Sequence, residues 1–536
     1  MTDVSRDPAA ATEVGRQTVE EQGLQRTITW KGAFWVASGV PALVLFSVGS
    51  IASTIGTPSW LVWMVSVVFG LLQAFTYAEI AGLYPDKSGG ASVYGAMAWL
   101  RYSKFVAPVS VWCNWLAWSP VLTIGSSLAA GYILTALFPA NAAINTWSLN
   151  LVDLGFIEDG LSLRINAQFA IAAVVLLIVF LVQDRGILGA ARVQTVIGLA
   201  VLLPLLTIGI VPLLTGDVMS RNFSPFVPLN GAWDLSGWTL FAGGLFIAAW
   251  SAYAFETAVC YTREFKNPGR DTVRAIFAAG GVCLLVYSLV PLVFQGTLGV
   301  KELTKQPIVD GNGVGAAMAS MVDAGPVVGN LLIVMLILAL LLSIMTTMAG
   351  SSRTLYQGSV DGWLPRYLSK VNRHGAPNRA MWTDLVFNLV LLLCSSTVFV
   401  LATSTVCYMI FNFLNLNAGW MHRVDSPDRP RPWRAPTVLI GVGAVMAFVN
   451  ALLLGWGANV WGGSSLLIGV IAAAVVLPVF AYRHYVQDKG TFPEATREDA
   501  GQALTGRGKA GFLPYVALAG GIAVVVIGQI IAGVAG

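Results

Sequence analysis

Windows of about twenty apolar residues recur from one end of this chain to the other, and nothing else limits its fold as strongly. Each window can cross the roughly 30 Å hydrocarbon core of a bilayer as an α-helix. Backbone polar groups in lipid must find partners within the protein, which leaves helices and closed barrels. Barrel strands are about ten residues long and alternate with a period of two, and these windows do neither. Charge agrees: 11% of the residues are charged and 56% hydrophobic, whereas soluble domains average about 25% charged. The chain is expected to be an all-α polytopic membrane protein.

Thirteen windows can be counted, near 32–54, 60–84, 105–137, 166–183, 194–215, 239–261, 275–297, 327–350, 380–400, 403–421, 437–456, 464–482 and 512–534. The third is too long for one perpendicular crossing and must tilt or begin as an interfacial segment. The loops after the ninth and eleventh are short enough for antiparallel hairpins. With alternate loops on opposite faces, 27 of the 31 lysines and arginines fall on the N-terminal side. The other face holds Arg164, Arg221, Lys301 and Lys305. The positive-inside bias then puts the N-terminus in the cytoplasm and, after thirteen crossings, the C-terminus outside.

The net charge of +4 calls for no nucleic-acid partner, because basic loops facing anionic lipid account for it. Residues 1–31 are polar and read as a cytoplasmic tail without a signal peptide's apolar core. Residues 484–510 read as a cytoplasmic linker before an appended helix at 511–536. The five cysteines, Cys113, Cys260, Cys283, Cys394 and Cys407, lie in windows and suit packing rather than disulfides. His374, His422 and His484 are expected in cytoplasmic loops, so no histidine metal site is expected in the membrane. No cofactor is called for.

Polar groups and helix breakers inside lipid are costly and mark function. The first window holds Ser38-Gly39-Val40-Pro41. Proline removes a backbone donor and glycine weakens the turn, so carbonyls and amides are released near mid-depth. Such a break can bind a solute, or it can be a simple kink. The sixth window places Trp250, Ser251, Tyr253 and Ala254 just before Glu256. The rings share a helix face and suit an organic cation, or they pack against neighbouring helices. Ser343, Thr346 and Thr347 put three hydroxyls on adjoining turns of the eighth window. They offer oxygen ligands to Na⁺, or interhelical hydrogen bonds.

Three tracts resemble the amino acid–polyamine–organocation (APC) superfamily of permeases. They are Tyr77-Ala78-Glu79 with Tyr84-Pro85, Gly89-Gly90 and Val93-Tyr94; Ala254-Phe255-Glu256 with Glu264, Lys266-Asn267-Pro268 and Arg270-Asp271; and Ser352-Arg353 with Asp361-Gly362, Leu364-Pro365 and Pro377. The resemblance covers roughly residues 27–435. It implies a five-plus-five inverted repeat like that of the bacterial leucine transporter, with halves at 32–215 and 216–421. Windows one and six are then the discontinuous helices, and residues 422–483 add two more helices. It also implies that Trp250 covers the substrate, that Glu256 links protonation to gating, and that Trp115 or Trp118 lies nearby.

Two tracts depart from the family pattern. Its Gly-Ser-Gly falls on Ala42-Leu43-Val44, so either Gly39 and Pro41 shift the break toward the cytoplasm or the substrate is an amine without a carboxylate. A lysine that some proton-coupled members carry aligns with Val201, so charge there comes from Na⁺ or is absent.

The resulting expectation is a secondary active transporter of amino acids, amines or polyamines in the cytoplasmic membrane. It would work by alternating access, driven by H⁺ or Na⁺ or by exchange. The expected substrate site is Gly39, Val40, Pro41, Ala42, Leu43, Trp115, Trp118, Trp250, Ser251, Tyr253 and Ala254, with Glu256 as the gate. A channel or solute sensor on the same fold is the alternative. An enzyme is not expected, since the apolar interior offers no histidine and few carboxylates, and Glu256 has no obvious acid–base partner in nearby sequence.

Overall fold

The computed structural model describes residues 24–139, 141–311, 313–321, 325–500 and 508–535. The expected tail at 1–31 therefore lies largely outside the described residues, as does 501–507 of the expected linker. Eleven helical segments are long and apolar enough to cross a membrane, and the molecule is a multi-pass membrane protein built almost wholly of helices. The two remaining windows form shorter helices of 17 and 14 residues.

The first span is broken. Helix α1 (Trp30–Val36) gives way to a 3₁₀ segment at Val40–Phe46, and α2 (Val48–Ile55) follows. The cause is local. Pro41 has no N–H to continue the α-helical ladder, and the Val40 amide turns to the Ala37 carbonyl at 3.2 Å instead. Next come α3 (Ser59–Gly82), the short α4 (Ala91–Trp99), and α5 (Val106–Trp118) running on into α6 (Pro120–Leu137). A hairpin of β1 (Ser148–Asp153) and β2 (Ser162–Asn166) leads to α7 (Ala167–Gln183) and α8 (Ile187–Thr215).

The second break follows α9 (Leu235–Ala252), where the chain tightens into a 3₁₀ segment at Ala254–Glu264. Eleven residues of 3₁₀ helix is unusual, because its hydrogen-bond geometry is poor and runs beyond three or four residues mark strain or a hinge. No glycine or proline lies between Trp250 and Glu256. Pro268 then opens α10 (Pro268–Leu298), followed by α11 (Pro326–Val360). Next come α12 (Asn378–Leu391), α13 (Thr397–Asp425), α14 (Thr437–Trp456) and α15 (Gly463–Ala474). After the polar segment containing α16 (Glu494–Ala500), α17 (Leu513–Ala535) lies along α14.

Three expectations change in detail. The ninth window ends at Leu391 rather than 400, and α13 starts at Thr397, where the Ser396 side chain caps the Phe399 amide. Neither close-spaced pair packs as a hairpin. Helix α12 lies against α6, α7 and α11, while α15 lies against α13 and α5. The gap enclosed between α5, α12, α13 and α15 is an apolar cavity of about 380 Å³. Finally, His422 and His484 are in helical segments, not loops, and both are buried. The cysteines are free, and four are buried; Cys394 lies in the turn after α12, only half-buried.

Candidate functional site

The first break sets up the site by turning three carbonyls toward side chains of neighbouring helices. In a continuous helix Val36, Gly39 and Val40 would each accept from the amide four residues on. Here the Thr346 hydroxyl donates to the Val36 carbonyl at 2.7 Å, and the Gln194 amide donates to the same oxygen at 3.1 Å. Ser343 donates to the Gly39 carbonyl at 2.8 Å, and Tyr287 donates to the Val40 carbonyl at 2.7 Å. The Gly39 amide in turn donates to the Thr346 hydroxyl at 3.2 Å. The break is therefore bound to α8, α10 and α11 by four side chains.

Glycine is needed here for close approach. A Cβ on residue 39 would lie 2.6 Å from the Thr346 hydroxyl and 2.5 Å from the Leu342 carbonyl oxygen, closer than real contacts allow.

A closed pocket lies beside this break, lined by Gly39, Val40, Leu43, Trp118, Thr257, Ser343, Thr346 and Thr347. Its walls lie so close together that no part of it is wide enough for a water molecule. Trp118 stacks with Trp250 at a ring separation of 6.4 Å and meets the edge of Tyr408 at 5.1 Å. The Trp250 ring nitrogen donates to the Ala117 carbonyl at 2.9 Å. Trp118 donates to one oxygen of Glu256 at 3.0 Å, while the second oxygen of this buried carboxylate has no hydrogen-bond partner among the described residues.

The structure thus brings together Gly39, Val40, Leu43, Trp118, Ser343, Thr346 and Thr347, with Trp250 stacked behind Trp118. Other expected residues point elsewhere. Trp115 donates to Asp384 at 2.9 Å and lies outside the pocket. Ala42 packs with Val201, Ala339 and Leu342. Val201, which aligns with the family's lysine, is buried in this apolar cluster. Ser251 bonds back to the Ala248 carbonyl of its own helix. Pro41 and Ala254 sit within the two 3₁₀ segments, and the Tyr253 ring lies 6.3 Å from that of Tyr408.

Four functional-looking residues escaped sequence reasoning. Thr257 follows the Phe-Glu pair and faces the pocket. Gln194 and Tyr287 are two of several polar groups in their apolar windows, and nothing in the sequence sets them apart from Thr195 or Ser288 beside them. Asp384 is buried and accepts from Trp115, Ser119 and Ser351, so it ties α5, α11 and α12 together, with no basic side chain paired to it among the described residues.

One carboxylate from each of the three sequence tracts is an ion-pair partner at one end of the bundle. Glu79 is held by Arg423 and Arg431. Glu264, at the end of the second break, makes a two-pronged pair with Arg353 on α11, both buried. Asp361 pairs with Lys87, which also reaches Asp499 on α16 at 3.1 Å. Burial alone would lower the Lys87 pKa, but the facing Asp361 and Asp499 carboxylates hold it above the usual lysine value. The segment before α1 joins this closure, with the Thr27 and Ile28 amides donating to the Glu264 carbonyl.

Comparison with known proteins points one way. A family profile described as amino acid permease matches residues 28–481. The chain is 21% identical to the branched-chain amino acid permease BcaP of Lactococcus lactis subsp. cremoris, across 81% of this chain and 91% of the relative. It is 25% identical to the polyamine transporter PUT1 of Oryza sativa subsp. japonica, across 83% and 74%. With the arginine/ornithine antiporter ArcD2 of the same Lactococcus it shares 24% identity, across 62% and 65%.

Proposed function

The chain belongs to the amino acid permease family, within the APC superfamily, and from that premise we propose that it is a secondary active transporter of amino acids or related amines. The family and the relatives above are permeases rather than enzymes. One observation carries the reading: the two interrupted spans meet beside a closed pocket, and α5 and α11 supply its remaining walls. A solute there would contact backbone freed by the first break and the hydroxyls of Thr257, Ser343, Thr346 and Thr347. Trp118 and Trp250 would cover it, as rings suited to an apolar or cationic side chain.

Among the described residues the pocket walls carry no basic side chain, so an acidic side chain would find no partner there. The substrate class that fits is a neutral or cationic amino acid, or an amine.

Alternating access would come from rearrangement at the two breaks, where few helical bonds need to change. In the inverted-repeat reading, 32–215 and 216–421 form the two halves. The end closed by Arg353–Glu264 and Lys87–Asp361 is the cytoplasmic one, because it gathers the basic loops. The molecule has the closed character of an occluded state. For coupling, the Val36 and Gly39 carbonyls with the Ser343, Thr346 and Thr347 oxygens form an all-oxygen set suited to Na⁺. Glu256, with one unpartnered oxygen, is the corresponding group for H⁺.

The test is uptake of labelled leucine, arginine and putrescine into proteoliposomes under imposed Na⁺ or H⁺ gradients. Saturable uptake that follows one gradient, or counter-exchange, supports the reading. Uptake that ignores both gradients and shows no exchange rules out active transport.

A further inference from the structure

We propose a second binding site, for a phosphate-bearing anion, in a cavity remote from the solute pocket. The cavity measures about 520 Å³ and lies at the bundle end that carries the Arg353–Glu264 pair. Its polar walls are Arg263, Tyr356, Ser359, Arg366, Arg483 and Asp488. Three guanidinium groups line it, and two of them share its one carboxylate. Asp488 accepts from Arg483 at 2.6 Å and from Arg366 at 2.6 Å. Arg263 makes no ion pair and no hydrogen bond among the described residues, although it is half-buried. Its neighbour Glu264 is committed to Arg353.

Charge and size together select the ligand. Three positive groups against one negative leave two uncompensated charges facing one concavity. A phosphate monoester carries about −1.5 to −2 at neutral pH, and its oxygens match the planar donor fork of arginine. A carboxylate would balance only half of that charge. The cavity is also much larger than an inorganic ion, and Phe492 and Pro493 supply an apolar wall, so the phosphate would carry an organic group. A soluble phosphate ester and a phospholipid headgroup share this chemistry.

The placement gives the site a consequence. Arg263 belongs to the 3₁₀ segment of the second break, whereas Arg366 and Arg483 belong to the segments after α11 and α15. A bound anion would fasten a hinge element to its surroundings. This consequence rests on the transporter reading; the site itself does not.

The experiment uses the purified full-length protein in detergent. Thermal unfolding is followed with glycerol 3-phosphate, with phosphatidic acid in mixed micelles, and with sodium chloride at matched ionic strength. The expected result is stabilisation by several degrees from a phosphate-bearing probe, none from chloride, and at least tenfold weaker binding in Arg263→Gln. Arg263→Lys should retain part of the affinity. A response to glycerol 3-phosphate identifies a soluble ester, and a response to phosphatidic acid alone identifies a headgroup. Equal responses of wild type and both variants, or no response to either probe, would overturn the site. Stabilisation by amino acids, measured on the same samples, reports independently on the solute pocket.

Discussion

At the scale of single residues, Gly39 and its hydroxyl partners carry the most weight. A methyl group at 39 has no room beside the Thr346 hydroxyl and the Leu342 carbonyl, so Gly39→Ala must push α1 away from α11. Initial uptake should fall at least about tenfold, which corresponds to roughly 1.4 kcal/mol of lost transition-state stabilisation. Surface expression measured beside uptake separates this from misfolding. Thr346→Val strips the Val36 carbonyl of one partner and should lower stability by about 1–3 kcal/mol. Paired with Ser343→Ala, it should also abolish any Na⁺ dependence of uptake; persistence of that dependence would exclude these oxygens as the ion site. Much of this was legible. Glycine and proline two residues apart in an apolar window announce released carbonyls, and the three hydroxyls of α11 fall on adjoining turns. What sits opposite them was not legible, because hydropathy says which residues are buried but not which neighbours they meet. Trp115 illustrates the limit: it lies one helical turn from Trp118, yet its indole is spent on Asp384.

At the scale of elements, the two breaks differ in origin. The first follows from Pro41. The second has no breaker residue between Trp250 and Glu256, and only the resemblance to the APC superfamily pointed to it. Its end is held instead by the Glu264–Arg353 pair. Both groups are almost fully buried, and removing one partner of such a pair leaves an unpaired charge, a loss of roughly 3–5 kcal/mol. Arg353→Ala should therefore lower the unfolding midpoint markedly. The charge-swapped double variant, Arg353→Glu with Glu264→Arg, should recover part of that loss in a double-mutant cycle. Strict additivity would mean that the two residues do not act as a pair. The short loops after α12 and α14 misled for a related reason. Loop length limits where a helix can go, but small residues choose its neighbour, as Gly469 does by lying against Val406.

For the whole molecule, recurring apolar windows identified an all-α membrane protein, and the boundaries of most spans follow from hydropathy alone. Helices α7 and α12 are too short for that argument by itself and take their places from packing against α6 and α11. Helix α17 stands at the periphery, with most of its surface facing outward, and touches the rest mainly along α14, where Gln529 donates to the Gly455 carbonyl at 2.8 Å. Deleting residues 511–536 should leave solute binding intact and change uptake less than twofold in proteoliposomes; a complete loss would make α17 part of the transport machinery. The central claim concerns the closed pocket between the two breaks. Its most direct test is ligand-induced thermal stabilisation of purified wild type, Thr257→Ala and Leu43→Phe, screened against amino acids and polyamines. The account predicts a solute that stabilises the wild type, stabilises Thr257→Ala less, and leaves Leu43→Phe unmoved because the added ring fills the pocket. A solute that stabilises all three proteins equally would contradict it.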